Sequence, residues 1–330
     1  MVRVALRLVS SLLALAIIFG GILTWGAAEY ARPGPLGAAT TVVIERGASL
    51  EVIASKLTRA GVLSVPLVFR LGARLTGADK RLRAGEYAFA ARISPRQTVA
   101  LLESGKTVVR RLTVVEGLTT AEIIAQLRAT DGLEGDLGPL PMEGTLLPET
   151  YHFSFGDTRP AIVERMAEAM RAALDDAWAA RNRELPLKAP ESVLILASII
   201  EKETAVPQER ARVAGVFINR LRKGMKLQSD PTVVYGLTKG KGPLGRPLTR
   251  VDLRTPSPYN TYLIAGLPPT PISNPGLASI TAALNPARTD DLYFVADGSG
   301  GHVFARTLSE HNRNVARWRK WRAEQLQGDQ

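Results

Sequence analysis

The chain has 330 residues, 45% hydrophobic and 22% charged, a balance that excludes both a disordered tail and a multi-span membrane protein. It has no cysteine and only three histidines, His152, His302 and His311, none at the i, i+4 spacing of zinc peptidases, so thiol chemistry, disulfides, a metal site and a cofactor are not expected. The 42 Lys and Arg against 31 Asp and Glu leave a net charge of +11, which favours an anionic partner: nucleic acid, a phospholipid surface or a carboxylate-bearing polymer.

Position narrows the choice. From Leu8 to Ala28 the chain is uncharged and mostly apolar, and those 21 residues match the roughly 20 that a helix needs to cross a bilayer. Arg3 and Arg7 precede the run and the first acid, Glu29, follows it, so the positive-inside rule keeps residues 1–7 in the cytoplasm and places the rest outside. A cleaved signal peptide is the alternative, since Gly26, Ala27 and Ala28 are small; the run is longer than a signal core, and the reading is a retained anchor over residues 8–28. An extracytoplasmic body meets little nucleic acid, and no zinc finger, aromatic RNA-binding motif or phosphate loop is present. The basic excess therefore faces envelope polymer or lipid. Its densest stretch, Arg306 to Arg322, reads as the solvated face of a terminal helix.

Residues 29–39, rich in proline and glycine, read as a linker that lifts the body off the membrane. TTVVIERG is strand-like and ends at a turn glycine, and in SLEVIASKLTR the residues Leu50, Ile53, Ala54 and Leu57 recur at helical spacing behind Ser49 as cap. A second helix fits VPLVFRLGARLTG, and LRAGEYAFA returns as a strand, giving a βααβ unit over residues 40–90. Ser94 to Gln97 then start a short helix stopped by Gly105. This segment resembles the small LysM-like module, a strand-helix-helix-strand unit used to hold glycan, and residues 40–106 are assigned to it.

Residues 107–330 form the second region. VVRRLTVVEGLTTAEIIAQL predicts a strand, a turn at Gly117 and a helix capped by Thr119 or Thr120 with Glu122 in its first turn. EGTLLPETYHF and a long helix near 158–182 follow. In ESVLILASIIEKET an almost wholly apolar helix ends at Glu201, which shares a face with Leu194, Ala197 and Ser198, whereas Glu203 is rotated by about 200°. Burial among aliphatic side chains raises a carboxyl toward the range in which it donates a proton near neutral pH, which is what a general acid requires; a cap or ion pair at the end of a core helix is the structural alternative. ERARVAGVFINRLRKG continues as an amphipathic helix ended by Gly224. Gln228, Ser229 and Asp230 precede Pro231 in a turn expected to display their side chains, and SPYNTYLIAGLPPTPISNPG sets Tyr259 and Asn260 among prolines in rigid loops of the kind that suit carbohydrate.

The strings LASIIEKET, ERARVAGVFINRLRKGMKLQSDPTVVYG, SPYNTYLIAGLPPTPISNPG and LYFVADGSGGHVF resemble the catalytic domain of the YceG-like endolytic murein transglycosylases. The resemblance implies an α+β protein with an N-terminal transmembrane helix, a LysM-like module and a catalytic domain, held in the inner membrane with its body periplasmic. It implies cleavage of nascent peptidoglycan strands between N-acetylmuramic acid and N-acetylglucosamine, 1,6-anhydro ends, and termination of strand growth. Peptidoglycan and the membrane are the implied partners, with cell-wall synthases as further candidates and no nucleic acid. Glu201 takes the family's catalytic position, and EGTLLPETY places the acid of an earlier motif on Glu149. Gln228, Ser229, Tyr259 and Asn260 are the candidate substrate-binding residues, and Glu149 and Glu203 are candidates for added charge. The family's PPGPI reads PPTPI here, and Thr270 in place of glycine puts the loop's backbone conformation in question. A single acid suffices for this chemistry because the 6-hydroxyl of the sugar replaces water. The alternatives are a hydrolase with a second carboxylate and a non-catalytic glycan-binding scaffold for synthases.

Overall fold

A computed structural model describes residues 2–328 and has a mixed α+β fold. The chain divides into two compact units: residues up to Arg110 together with His152–Asp157, and Arg111–Tyr151 together with the chain from Thr158 onward.

The first unit opens with α1 (Val2–Ala31), whose stretch from Leu6 is long and apolar enough to cross a membrane and leaves Leu12, Ile17 and Phe19 exposed. The expected βααβ unit follows: β1 (Thr40–Ile44), α2 (Leu50–Arg59), α3 (Pro66–Leu75) and β2 (Gly85–Phe89), with β1 and β2 antiparallel from Thr40 opposite Phe89 to Ile44 opposite Gly85. Ser49 caps α2 by accepting the Val52 N–H, and Ile53, Ala54 and Leu57 are buried as the helical spacing requires, with Leu50 at the margin of the core. Tyr87, Phe89 and Phe69 fill the centre with Leu57 and Leu102. α4 (Pro95–Ser104) starts in a reciprocal Ser94–Gln97 capping box and ends at Gly105, whose φ of 69° only glycine adopts without strain.

The segment read as a linker makes contacts with the βααβ unit. α1 continues through Ala31, and the Tyr30 ring lies so close over Gly72 that a Cβ there would come within 2.2 Å of it. Gly34 N–H donates to Ile93 O at 3.1 Å, and Leu36 is buried in the core. Within residues 29–39, Tyr30, Gly34 and Leu36 thus touch the βααβ unit, while Arg32, Pro33, Pro35 and Gly37 to Ala39 are exposed.

The second unit contains the larger part of β3 (Val109–Thr113), α5 (Thr120–Ala129), β4 (Leu133–Glu134) and α6 (Arg159–Ala179), while β5 (Thr150–Ser154), the partner of β3, and β6 (Asp157–Thr158) are divided between the units. The Thr119–Glu122 capping box starts α5. The core is helical. α7 (Pro190–Glu203) is buried without a break from Val193 to Ile200 and is surrounded by α6, α8 (Arg210–Arg222) and α10 (Leu277–Leu284). Between the last two lies α9 (Asp230–Thr238), where the sequence reads as a turn: Asp230-Pro231 opens a helix instead, since proline fits a first helical turn. An antiparallel hairpin, β7 (Tyr293–Ala296) and β8 (His302–Ala305), sets Phe294 edge-on to Phe217 of α8 at 5.8 Å, and α11 (Leu308–Gly328) packs against it.

Candidate active site

Glu201 sits in the last turn of α7, where the apolar run that drives the helix into the core stops, and its side chain is only 6% exposed. Two elements distant in sequence meet its carboxyl. The N–H of Gly276, immediately before α10, donates to Oε2 at 2.9 Å. Arg210 at the start of α8 places Nη2 at 3.5 Å from Oε1, and the same nitrogen lies 3.8 Å from Oε2 of Glu116. One guanidinium therefore serves two carboxyls, while its buried Nε has no partner among the described residues.

Glu116 belongs to the turn before α5. Lys202, the residue after Glu201, donates from Nζ to Gly117 O at 3.2 Å and so ties this turn to α7. Burial pushes the Glu116 carboxyl above the usual carboxylate range, the charge of Glu201 pushes it the same way, Arg210 opposes both, and Glu149 adds a further upward push. Glu149 thus joins Glu201 and Glu116 in one acidic group; it is exposed, and its backbone carbonyl accepts from Val114 N–H at 3.0 Å.

Asn274 holds these pieces in place. It is fully buried; its Oδ1 accepts the Leu146 N–H, and its Nδ2 donates to Leu118 O, Thr120 Oγ1 and Glu143 Oε1, all between 2.9 and 3.1 Å. Its backbone donates to Leu118 O and accepts from Gly117 N–H. The loop carrying Gly276 is in this way joined both to the Glu116 turn and to the EGTLLPETY segment. Ile272 N–H donates to the buried Ser198 hydroxyl, which ties the same loop to α7. Tyr235 reaches the network from the other side, donating to Glu143 Oε2 at 3.2 Å.

The other candidate residues lie elsewhere. Gln228 is exposed and strained, at a φ of 52°. Ser229 is not displayed as expected: it is 1% exposed, and its hydroxyl donates to Glu203 Oε1 at 2.5 Å. Asn260 is likewise buried, its amide donating to the carbonyls of Leu253 and Thr255 and its Oδ1 accepting Tyr262 N–H, so it shapes the loop from within. Tyr259 is half-buried against Tyr235, ring centroids 4.9 Å apart, and its hydroxyl lies 2.7 Å from that of Thr270. Thr270 is not among the residues of positive φ, so threonine fits this loop without strain and adds a partner for Tyr259. Glu203 points away from Glu201. Burial lifts its carboxyl to about 7 with a smaller upward push from Asp230, against the Ser229 hydrogen bond, His302 and Arg220.

Reading the sequence alone missed Glu116, Arg210, Asn274 and Gly276. Arg210, Asn274 and Gly276 lie in the strings that carry the resemblance and Glu116 in the strand-turn-helix stretch before α5, but nothing local marks Glu116 or Arg210, whose significance comes from contacts across 85 and 9 residues to Glu201.

The family model described as the YceG-like family matches residues 42–317. A Bacillus subtilis (strain 168) protein named endolytic murein transglycosylase is 33% identical over an alignment covering 90% of each chain. A Streptococcus pneumoniae (serotype 2, strain D39) protein of the same name is 30% identical over 84% of this chain and 58% of its own length. The crystal structure of a YceG-like protein from Listeria monocytogenes, 32% identical, superposes with a TM-score of 0.51 and covers 84% of this chain and 99% of that one. With a family model spanning most of its residues and a relative of similar length sharing a third of its sequence, the chain belongs to the YceG-like family.

Proposed function

We propose that this chain is a membrane-anchored endolytic transglycosylase that cuts peptidoglycan strands between N-acetylmuramic acid and N-acetylglucosamine and leaves 1,6-anhydro ends, terminating strand growth. The name carried by the Bacillus and Streptococcus relatives supports the reaction class. The observation that carries it to a residue is the placement of Glu201, a nearly enclosed carboxyl at the end of a rigid core helix, met by one backbone N–H and one guanidinium.

In the proposed reaction Glu201 gives its proton to the glycosidic oxygen as the bond to the muramic acid C1 breaks. The 6-hydroxyl oxygen of the same sugar bonds to C1, and its proton passes to the Glu201 carboxylate, which restores the acid without consuming water. Arg210 and Gly276 hold the carboxyl through both steps, and Asn274 acts at one remove as a positioning residue. Exposed Glu149 and Gln228 and half-exposed Tyr259 suit direct contact with the strand; Ser229 and Asn260 serve by fixing loops. The apolar α1 fits a single-pass anchor with residues 1–7 cytoplasmic and both units outside, and the βααβ unit, as a LysM-like module, adds glycan affinity. Cell-wall synthases are the natural protein partners of an enzyme that ends strand growth.

Glu116 supports a second reading, hydrolysis, because a carboxyl pushed upward beside Glu201 is a candidate partner for water. Mass spectrometry of peptidoglycan digested with the full chain in detergent micelles decides between them. Ends one water lighter than hydrolysed ends and resistant to borohydride, lost in Glu201→Gln, support the transglycosylase; reducible ends establish the hydrolase; intact glycan with retained binding leaves the scaffold.

A further inference from the structure

The basic stretch from Arg306 to Arg322, expected as a solvated helix face, gathers part of its charge around a cavity. Four guanidiniums line this space of about 390 Å³ in the second unit: Arg212 of α8, Arg306 just after β8, and Arg313 and Arg317 of α11, with Asp291 and Glu310 as the carboxyls in its walls. Its volume lies toward the lower end of small-molecule sites, roughly 300 to 1,000 Å³. Arg212 follows Arg210 by two residues on α8, about 200° round the helix, and meets Asp291 and Phe304 where Arg210 meets Glu201. None of the residues placed around Glu201 lines the cavity.

Collecting like charges is unfavourable, and Arg313 and Arg317 stand at the i, i+4 spacing at which two cations on a helix repel. Three of the four are nevertheless braced in place. Arg212 Nε donates to Asp291 Oδ2 at 2.7 Å, and its guanidinium lies over the Phe304 ring, 4.2 Å from the centroid. Arg313 Nη1 donates to Ser309 Oγ at 2.9 Å, and Arg317 Nη2 donates to Oδ1 of the buried Asn314. Each contact engages one donor of a guanidinium that carries five, so most of these N–H groups have no partner among the described residues. Arg306 has a distant ion pair, 3.8 Å to Asp290, with both side chains exposed.

The carboxyls do not neutralise the group. Asp291 is nearly enclosed and also accepts the Thr289 hydroxyl at 2.7 Å, and Glu310 turns Oε2 to the backbone N–H groups of Arg306 and Thr307 ahead of α11. Four guanidiniums against these two carboxylates leave two positive charges at the cavity. A carboxylate is matched by one fork-shaped guanidinium, whereas the tetrahedral oxygens of a phosphate accept donors arriving from several directions, and its one to two negative charges match the excess.

We infer that this cavity binds a phosphate group, either free phosphate or the phosphodiester of a lipid headgroup. The inference uses no residue of the Glu201 site and stands whether or not the proposed reaction does.

The test is isothermal calorimetry of the full chain in uncharged detergent micelles at fixed ionic strength. The chain is titrated in turn with inorganic phosphate, with glycerophosphoglycerol, which is the deacylated headgroup of phosphatidylglycerol, and with acetate. Expected is saturable binding of at least one phosphate compound, at least tenfold tighter than acetate. Arg313→Gln combined with Arg317→Gln should weaken it at least tenfold, whereas Arg319→Gln combined with Lys320→Gln, which removes the same charge from α11 outside the cavity, should leave it within twofold of the wild type. Arg306→Gln, at an exposed side chain, is the variant to use where the first pair does not fold, with at least threefold weaker binding expected. Tighter binding of inorganic phosphate supports the inference with a free ligand, and tighter binding of glycerophosphoglycerol supports it with a lipid headgroup. Absence of binding by both, acetate held as tightly as phosphate, or an equal loss in the two paired variants, as a diffuse basic face would give, overturns it.

Discussion

Gly276 and Glu201 are 75 residues apart, yet the N–H of the first stands 2.9 Å from Oε2 of the second. The position also has no room for a side chain: a Cβ on Gly276 would lie 1.8 Å from Oε1 of Glu116. Gly276→Ala must therefore displace Glu116, and with it the charge beside Glu201. Glycan cleavage is expected to fall by about 100-fold, the scale of losing one preorganised contact at a reacting group. Gly276→Ala combined with Glu116→Ala removes the clash and should recover part of the loss; equal rates for Gly276→Ala and wild type would show that the contact is idle.

Arg210 sets the charge balance of the carboxyl group it shares. Its guanidinium opposes the upward push on Glu116 and favours the ionised form of a carboxyl beside it. Arg210→Gln should move upward the alkaline limb of the pH–rate profile, where the proton-donating carboxyl is lost, which a profile of kcat/KM from pH 4 to 9 measures. A limb that stays in place, or moves down, contradicts this assignment.

Asn274→Ala strands the Leu146 N–H and removes donors from Leu118 O, Thr120 Oγ1 and Glu143 Oε1 in a fully buried setting. A cost of about 2 to 4 kcal/mol is expected, since buried groups left without partners lose their full desolvation penalty. Because the same residue holds the Gly276 loop, kcat should drop at temperatures where the variant is still folded. Urea denaturation paired with single-turnover cleavage checks both halves.

Glu203 makes stability depend on pH in the direction opposite to a salt-bridged acid. Its carboxyl titrates near 4.5 when exposed and at about 7 in the folded chain, so the folded state holds a proton that the unfolded state has released between those values. Below 4.5 both states are protonated and there is no penalty; as pH rises to about 7 the penalty grows to its full size, on the order of a few kcal/mol. Wild type should thus lose stability between pH 4.5 and 7 relative to Glu203→Gln, and parallel curves for the two in urea titrations across that window would refute the shift.

Local chemistry was legible in the sequence wherever it was sequential. Ser49, the Ser94–Gln97 pair and the Thr119–Glu122 pair announce helix starts within four residues, and the structure uses each of them. QSDP misleads because proline permits both a turn and a first helical turn; the turn was expected, and α9 formed. Within that segment, Ser229 looks like a displayed hydroxyl until the fold brings it beneath Glu203. Glu201 stood out because an acid ending an apolar helix is unusual, but the group around it is assembled by α8, by the turn before α5 and by the loop before α10, and no spacing in the chain encodes that meeting.

The meeting of Tyr30 with Gly72 bears on how α1 would pass force to the βααβ unit. Because α1 remains helical until its last turn is already packed on α3, no swivel separates the apolar helix from the βααβ unit. With α1 seated in a bilayer, that unit moves as the head of a lever whose shaft is the helix: a change in helix tilt sweeps the β1–β2 pair sideways, and rotation about the helix axis turns its face with it.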